Sequence, residues 1–223
     1  NKFKYIWVPG SRGLRYAKSL GFKDKYIIKN LYSINFTKFD EIANIRAKNK
    51  WPKSFLFVGR YIKIKGIHIL ISAYQRYRNY VVDPWELYCC GDGPYKNELS
   101  KVPGIKDYGF IQPDGLPDIF LQSGVLVMPS LREPWGLAIV EGCAAGLPIL
   151  CTDVCGSSDD VVKNYYNGII IPPNNIDALT KALHWFHCNY DKLPEIGKRS
   201  VSLAEPYSAQ NWAANFLDYI KSL

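Results

Sequence analysis

The chain holds no apolar run approaching the roughly 18 residues that a membrane-crossing helix requires. Its opening residues, NKFKYIWVPG, lack the apolar stretch of a secretory signal. No G-x-G-x-x-G follows a strand-like run, which argues against a dinucleotide-dependent Rossmann enzyme. The six cysteines include no C-x-x-C pair. Cys151 and Cys155 are spaced CTDVC, while Cys89 and Cys90 are neighbours in LYCCG. That usage fits reduced thiols in a reducing compartment, with Cys89 and Cys90 facing opposite sides of a strand. Histidine is scarce: His184 and His187 form an H-x-x-H with no third ligand in view, so no metal site is expected. No repeat, low-complexity tract, zinc-finger spacing or aromatic-rich RNA motif is present, so nucleic acid is not expected as a partner.

What is present suits a packed core. The 223 residues are 48% hydrophobic, enough for one large domain, or one domain plus part of another. The net charge of +8 is uneven: residues 1–53 carry 13 Lys/Arg against 3 Asp/Glu, so the remainder is slightly acidic. Such a basic segment attracts phosphates, nucleic acid or an anionic membrane leaflet, or it is a solvated face or one that meets a further domain.

From residue 54 onward, short apolar runs alternate with helical patterns. SFLFVG (54–59), WELYCCG (85–91), IKDYGFI (105–111), GVLVMPS (124–130), LPILCTD (147–153) and NGIIIPP (167–173) read as strands. Helical patterns lie at 66–80, in PYKNELSKV, in DGLPDIFLQS, at 136–146, in IDALTKALHWFHCNY and in SAQNWAANFLDYIKSL, with a helix or turn at SSDDVVKN. Strict alternation predicts β-α-β units and a doubly wound parallel sheet, an α/β fold. Residues 1–33 give one further strand, short helix and strand. A single such unit cannot bury its own faces, so it reads as the end of a preceding, truncated α/β domain. Residues 34–53 read as a connector, 54–205 as the main Rossmann-like domain, and 206–223 as a closing helix.

In doubly wound sheets ligands bind beyond the carboxyl ends of the strands. The unusual residues gather in those loops. In SLREPWGLAIVEGCAAGLPIL, Glu133 and Glu141 are separated by seven residues, and Gly136 sits where a helix should start. A helix start offers unpaired amides and partial positive charge, which suit a diphosphate. The two carboxylates then accept hydrogen bonds from hydroxyls on either side. Such a spacing among seven glutamates arises by chance in roughly one chain in five, so its neighbours must carry the argument. In VGRYIKIKG, Arg60 and Lys65 place two cations in a strand-to-helix loop, suited to clamping a diphosphate, with Lys63 as the alternative to Lys65. The Gly91-Asp92-Gly93 turn permits close ligand approach, or is a bare turn. Phe110 and Ile111 line a base, or belong to the core.

Read together, VGRYIKIKGIHILISAY, CCGDGPYKNEL, YGFIQPDGLPDIF, VLVMPSLREPWGLAIVEGCAAGLPIL and YYNGIIIPPNNIDALTKAL resemble the nucleotide-sugar-binding half of family 4 retaining glycosyltransferases. The resemblance covers roughly residues 55–185 in order. It implies the GT-B fold, with two doubly wound domains facing a cleft, this chain carrying the C-terminal one. VPGSRGLRYAKSLGF resembles the end of the N-terminal domain, and YSAQNWAANFLDYIKSL the last helix, which returns to that domain. The resemblance further implies that Arg60 and Lys65 hold the donor diphosphate. Glu133 would contact the sugar, Glu141 the ribose, the amides of Gly136 and Leu137 the distal phosphate, and Ile111 with Gly91 the base. Trp135 would wall the sugar pocket. A nucleotide-diphosphate sugar is then the donor, a glycan or lipid-linked molecule the acceptor, and no cofactor or metal is required. Polysaccharide biosynthesis in the cytoplasm, with peripheral contact at the inner membrane face, is the expected setting. Ser123-Gly124 and Cys155-Gly156-Ser157-Ser158 depart from common family residues. Outside the family, a nucleotide-sugar epimerase, a non-catalytic sugar-nucleotide module and an NAD-dependent enzyme are the competing readings.

Overall fold

Alternating strand and helix patterns assemble into one parallel sheet, seen in a computed structural model that describes residues 3–221. Six strands form it: β3 (Ser54–Val58), β4 (Glu86–Cys90), β5 (Ile105–Gly109), β6 (Val125–Met128), β7 (Ile149–Thr152) and β8 (Gly168–Ile171). Their spatial order is β5-β4-β3-β6-β7-β8, all neighbours parallel. The order reverses between β3 and β6, the switch point at which open α/β sheets leave a crevice. Register is direct, with Phe55 opposite Val125 and Leu56 opposite Leu126.

The strands are apolar throughout because both faces are covered. Successive residues point to opposite sides. Phe55, Phe57 and Cys89 join one core layer, beneath α3 (Ile67–Tyr80) and α8 (Ile176–Cys188). Leu56 and Cys90 join the other, beneath α5 (Leu116–Leu121) and α6 (Leu137–Ala144). The adjacent cysteines therefore do split between the two faces, and all six thiols are free. Burial raises the pKa of the Cys90 thiol to about 12, which keeps it neutral and inert.

Four local features differ from what the sequence pattern predicts. The segment read as a connector contains α2 (Phe36–Ala47), which buries Phe39, Ile42 and Arg46. Its apolar stripe is narrow, and the buried arginine breaks the periodic signal. Leu193–Ala204 forms a further helix, α9, which the sequence reading did not anticipate; Pro194 lies in its first turn, where proline is tolerated. PYKNELSKV yields only a single turn of helix, α4 (Lys96–Leu99). The last strand-like residues of IKDYGFI leave the sheet at Gly109.

The first residues form β1 (Ile6–Trp7), α1 (Ser11–Ser19) and β2 (Ile27–Ile28), with β1 and β2 paired in parallel. The final helix, α10 (Ala209–Lys221), lies across this unit. Trp7 stacks on Trp212 with ring centroids 5.2 Å apart, and Trp212 Nε1 donates to the Leu31 carbonyl. The helical pattern of SAQNWAANFLDYIKSL runs to the end of the chain; residues 222 and 223 lie outside those described. On the other side, α1 meets the short helix α7 (Ser158–Val161). Asp160 accepts from Ser11, and Asp159 pairs with Arg12 at 2.6 Å and Arg15 at 2.5 Å.

Candidate functional site

The carboxyl ends of β3, β4 and β5 open onto one cavity, and β6 ends beside β3. Gly59-Arg60 leaves β3, Gly91-Asp92-Gly93 leaves β4, and Phe110-Ile111 leaves β5. These three loops enclose a cavity of about 690 Å³, lined also by Pro113 and Leu116 at the approach to α5. Its walls are mainly apolar, with Arg60 and Asp92 as charged groups at its edge. Phe110 is 69% exposed, so its ring is available to a planar ligand rather than packed in the core. Of the predicted residues, Arg60, Gly91 and Ile111 meet here. Pro113 and Leu116 went unnoticed in the sequence, because nothing local distinguishes a pocket wall from an ordinary turn.

The second group surrounds the end of β6. Between Arg60 and α3 the chain makes a tight turn, Lys63–Lys65, closed by Gly66. Gly66 has φ +70°, and a Cβ there would lie 1.9 Å from the Pro129 carbonyl oxygen. Only glycine permits the β3 and β6 loops to approach so closely. Leu131 N then donates to the Ile64 carbonyl at 2.9 Å, fastening the two loops. The result is an ion pair between Lys65 Nζ and Glu133 Oε2, with side chains only 18% and 9% exposed. The two residues assigned separately to diphosphate and sugar are thus joined. They form one polar unit at the switch point.

Gly136 follows directly, with φ +93°, and a Cβ built on it would lie 3.2 Å from Glu133 Cγ. It begins α6 with no side-chain cap. Among the described residues, the amides of Leu137 and Ala138 have no protein acceptor, as at any uncapped helix start, and such amides suit an anion. Leu137 is 42% exposed, which leaves this end of the helix open to solvent. The loop is held from behind. Gly156 N donates to the Glu133 carbonyl at 3.0 Å, and Ser157 N to the Trp135 carbonyl at 2.8 Å. The unusual Cys155–Ser158 segment therefore serves as a brace under the Glu133–Gly136 loop. Trp135 is buried against Tyr32 and Tyr207 rather than exposed in the crevice.

Glu141 lies one turn into α6, half-buried, and desolvation raises its carboxyl pKa. No ion pair offsets that cost among the described residues. A carboxyl with a raised folded pKa stabilises least when ionised. Stability falls as pH rises through the folded value, and the loss is absent below the unfolded value of about 4.3. Glu141→Gln is therefore expected to raise the melting temperature at pH 7 and to leave it unchanged below about pH 4. Parallel melts at both pH values test this; a variant less stable at pH 7 contradicts it.

The remaining singled-out groups lie elsewhere. His187 Nδ1 bonds the Tyr77 hydroxyl at 2.8 Å, and His184 neighbours Cys188 on the outer face of α8. No helix among the described residues is long and apolar enough to cross a membrane.

A doubly wound sheet in this strand order, with an uncapped helix start and the Lys65–Glu133 pair at its switch point, is the α/β arrangement of a GT-B glycosyltransferase domain. The chain belongs to the glycosyl transferases group 1 family, whose model matches residues 38–201. It is 29% identical over 206 residues to a D-inositol 3-phosphate glycosyltransferase of Streptomyces bingchenggensis, covering 83% of this chain and 45% of that protein. It is 32% identical over 136 residues to an uncharacterized glycosyltransferase of Methanocaldococcus jannaschii, covering 57% of this chain and 34% of the relative. The chain thus spans less than half the length of these curated relatives. Among solved structures, HepE of Anabaena in complex with UDP superimposes with TM-score 0.81 at 19% identity, over all of this chain and 65% of that one. The pneumococcal O-GlcNAc transferase GtfA in complex with UDP and GlcNAc gives 0.79 at 18% identity, over 99% and 45%.

Proposed function

We propose that this chain is the donor-binding half of a retaining glycosyltransferase. It takes a nucleotide-diphosphate sugar and delivers the sugar to a glycan or lipid-linked acceptor held by a further N-terminal domain. One observation carries the reading: the Lys65–Glu133 pair lies beside the uncapped start of α6, at the switch point of the sheet. The apolar cavity between Arg60, Gly91 and Ile111 takes the base. Arg60, Lys65 and the amides of Gly136 and Leu137 take the diphosphate. Glu133 faces the sugar and Glu141 the ribose, while Trp135 backs the sugar-side loop.

The chemistry follows from charge. Breaking the anomeric bond leaves positive charge on the sugar ring and negative charge on the departing diphosphate. Arg60, Lys65 and the helix start stabilise the anion. Glu133 favours the oxocarbenium-like ring electrostatically and orients it. The departing phosphate takes the proton of the acceptor hydroxyl, on the face that the sugar leaves. Arg60 and Lys65 supply the positive charge, so the scheme calls on no metal. A hexosyl donor is the expected substrate, and the chain alone is expected to bind it without efficient transfer.

UDP-bound neighbours make a uridine donor the first to test. Calorimetry with UDP, GDP and ADP should find one binder, and Arg60→Ala should weaken it by roughly tenfold or more. Binding of NADH in place of all three would overturn the reading. The setting proposed is the cytoplasmic side, with the basic first segment near an anionic membrane face. Part of that charge is already engaged, since Arg12, Arg15 and Lys18 pair with Asp159 and Asp24.

A further inference from the structure

Trp135 occupies the middle of the loop that joins Glu133 to Gly136, yet its ring is turned away from the crevice. It is 5% exposed and lines no part of the base cavity. Three distant segments converge on it. A Cβ on Gly10 would lie 2.7 Å from Cη2 and Cζ3 of the indole and 2.5 Å from Asp160 Oδ2. Tyr32 approaches with a ring centroid 6.2 Å away, and Tyr207 with one 5.5 Å away. These residues belong to the turn before α1, the exit from β2 and the turn before α10. The indole nitrogen is buried without an acceptor, so the ring acts as an apolar plate rather than through its N–H.

The backbone of the same residue faces the brace. Its carbonyl accepts from Ser157 N at 2.8 Å, and Ser157 Oγ donates to the next carbonyl, that of Gly136, at 3.3 Å. The brace is itself tied to the first segment. Three residues beyond Ser157, Asp160 accepts from Ser11 N at 3.1 Å and from Ser11 Oγ at 2.6 Å, and Asp159 pairs with Arg12 and Arg15. Both supports of the loop, ring and brace, thus rest on residues 10–15.

We infer that Trp135 is a positioning residue: it transmits the seating of the first segment to the amides at the start of α6, and so sets donor-diphosphate affinity without touching the donor. The inference rests on the donor-site reading given above. When the first segment is displaced, the ring loses its backing and the Glu133–Gly136 loop loosens. The amides of Gly136 and Leu137 then no longer converge on one point. Because coupling is reciprocal, a bound diphosphate in turn holds the first segment in place.

Three variants of the chain test this: Trp135→Ala, Trp135→Phe and Gly10→Val. The last places a branched side chain against the ring from the far side, outside the donor site. Hydrogen exchange is followed at the Gly156 and Ser157 amides, and binding is measured with UDP, GDP and ADP. In Trp135→Ala and Gly10→Val, exchange at both amides should quicken by about tenfold or more. The dissociation constant should rise by a similar factor. Trp135→Phe, which keeps an aromatic plate and discards an unpartnered donor, should stay within about threefold of the native chain. Equal acceleration at Leu126, in the centre of the sheet, would mean general destabilisation and overturn the inference. So would unchanged exchange at Ser157 in Gly10→Val, a measurement that stands even where Trp135→Ala does not fold. If the native chain bound none of the three nucleotides, the donor-site reading would fail, and the exchange data would still decide whether the first segment and the loop are coupled.

Discussion

Lys65→Met is expected to weaken nucleotide-diphosphate binding by roughly ten- to a hundredfold and to destabilise the chain at the same time. The cation is one of two proposed for the diphosphate, and each charge-assisted contact contributes about 1.5–3 kcal/mol. Loss of one such group lowers affinity by roughly ten- to a hundredfold. The structural cost is separate. Glu133 has a side chain 9% exposed, and its ion-pair partner is Lys65. Removing one member of a buried pair strands the other charge, at a cost of about 3–5 kcal/mol when burial is complete. Lys65 keeps 18% exposure, so about 2–3 kcal/mol is the expected loss. The double variant Lys65→Met, Glu133→Gln separates the two roles. It leaves no stranded charge, so urea unfolding should return to within about 1 kcal/mol of the native chain. Nucleotide binding should stay weakened. A single variant with native stability and native affinity would remove the pair from both roles.

Arg46→Met should be the most damaging single change to the fold. Arg46 is 2% exposed, inside α2. Its guanidinium donates to the carbonyls of Phe120 and Ser123, the latter at 2.5 Å, and to that of Ala145 at 3.2 Å. These carbonyls close the ends of α5 and α6, where unpaired acceptors and negative dipole ends gather. The plane also lies over Trp51, with Cζ 4.9 Å from the ring centroid. Burial lowers its pKa to about 9, which leaves it protonated at neutral pH. Replacing it leaves the Ser123 and Ala145 carbonyls without their donor, while that of Phe120 keeps Ser123 N, at about 1–3 kcal/mol for each group left unpaired, and about 3–5 kcal/mol is expected in all. Against a domain stability of about 5–15 kcal/mol, that is a third or more of the total at the low end of the range, and it should lower the melting temperature by several degrees or more. Arg46→Lys should recover less than half, since one ammonium cannot span all three acceptors. The contrast is the exposed Lys53–Asp83 pair at 3.5 Å, whose removal should cost below about 1 kcal/mol. Melting curves of the three variants would settle the order, and a mild Arg46→Met would contradict the capping role.

Arg46 also illustrates where the sequence was opaque. In α2 it looks like one more cation of a basic segment. Only the convergence of two helix ends on its position makes a guanidinium the best-fitting core residue. The same holds for Arg12 and Arg15, whose partner Asp159 lies well over a hundred residues away in sequence. Trp135 shows the reverse. Its place next to Glu133 suggests a pocket wall, but the ring's surroundings come from three other segments, and they bury it. Lys65 and Glu133 were each legible as single residues. Their pairing was not, because it depends on how closely Gly66 lets the β3 and β6 loops approach.

The order of strands and helices, the two-sided burial of the sheet and the gathering of glycines, cations and carboxylates at strand ends were written in the sequence. They follow from local periodicity and turn chemistry, which act over a few residues. Strand order, the face on which each cation is used and the brace beneath the Glu133–Gly136 loop were decided only in the folded chain. Those features are contacts between segments far apart in sequence. No local pattern encodes such a contact, because its energy exists only once the sheet has brought the two partners together.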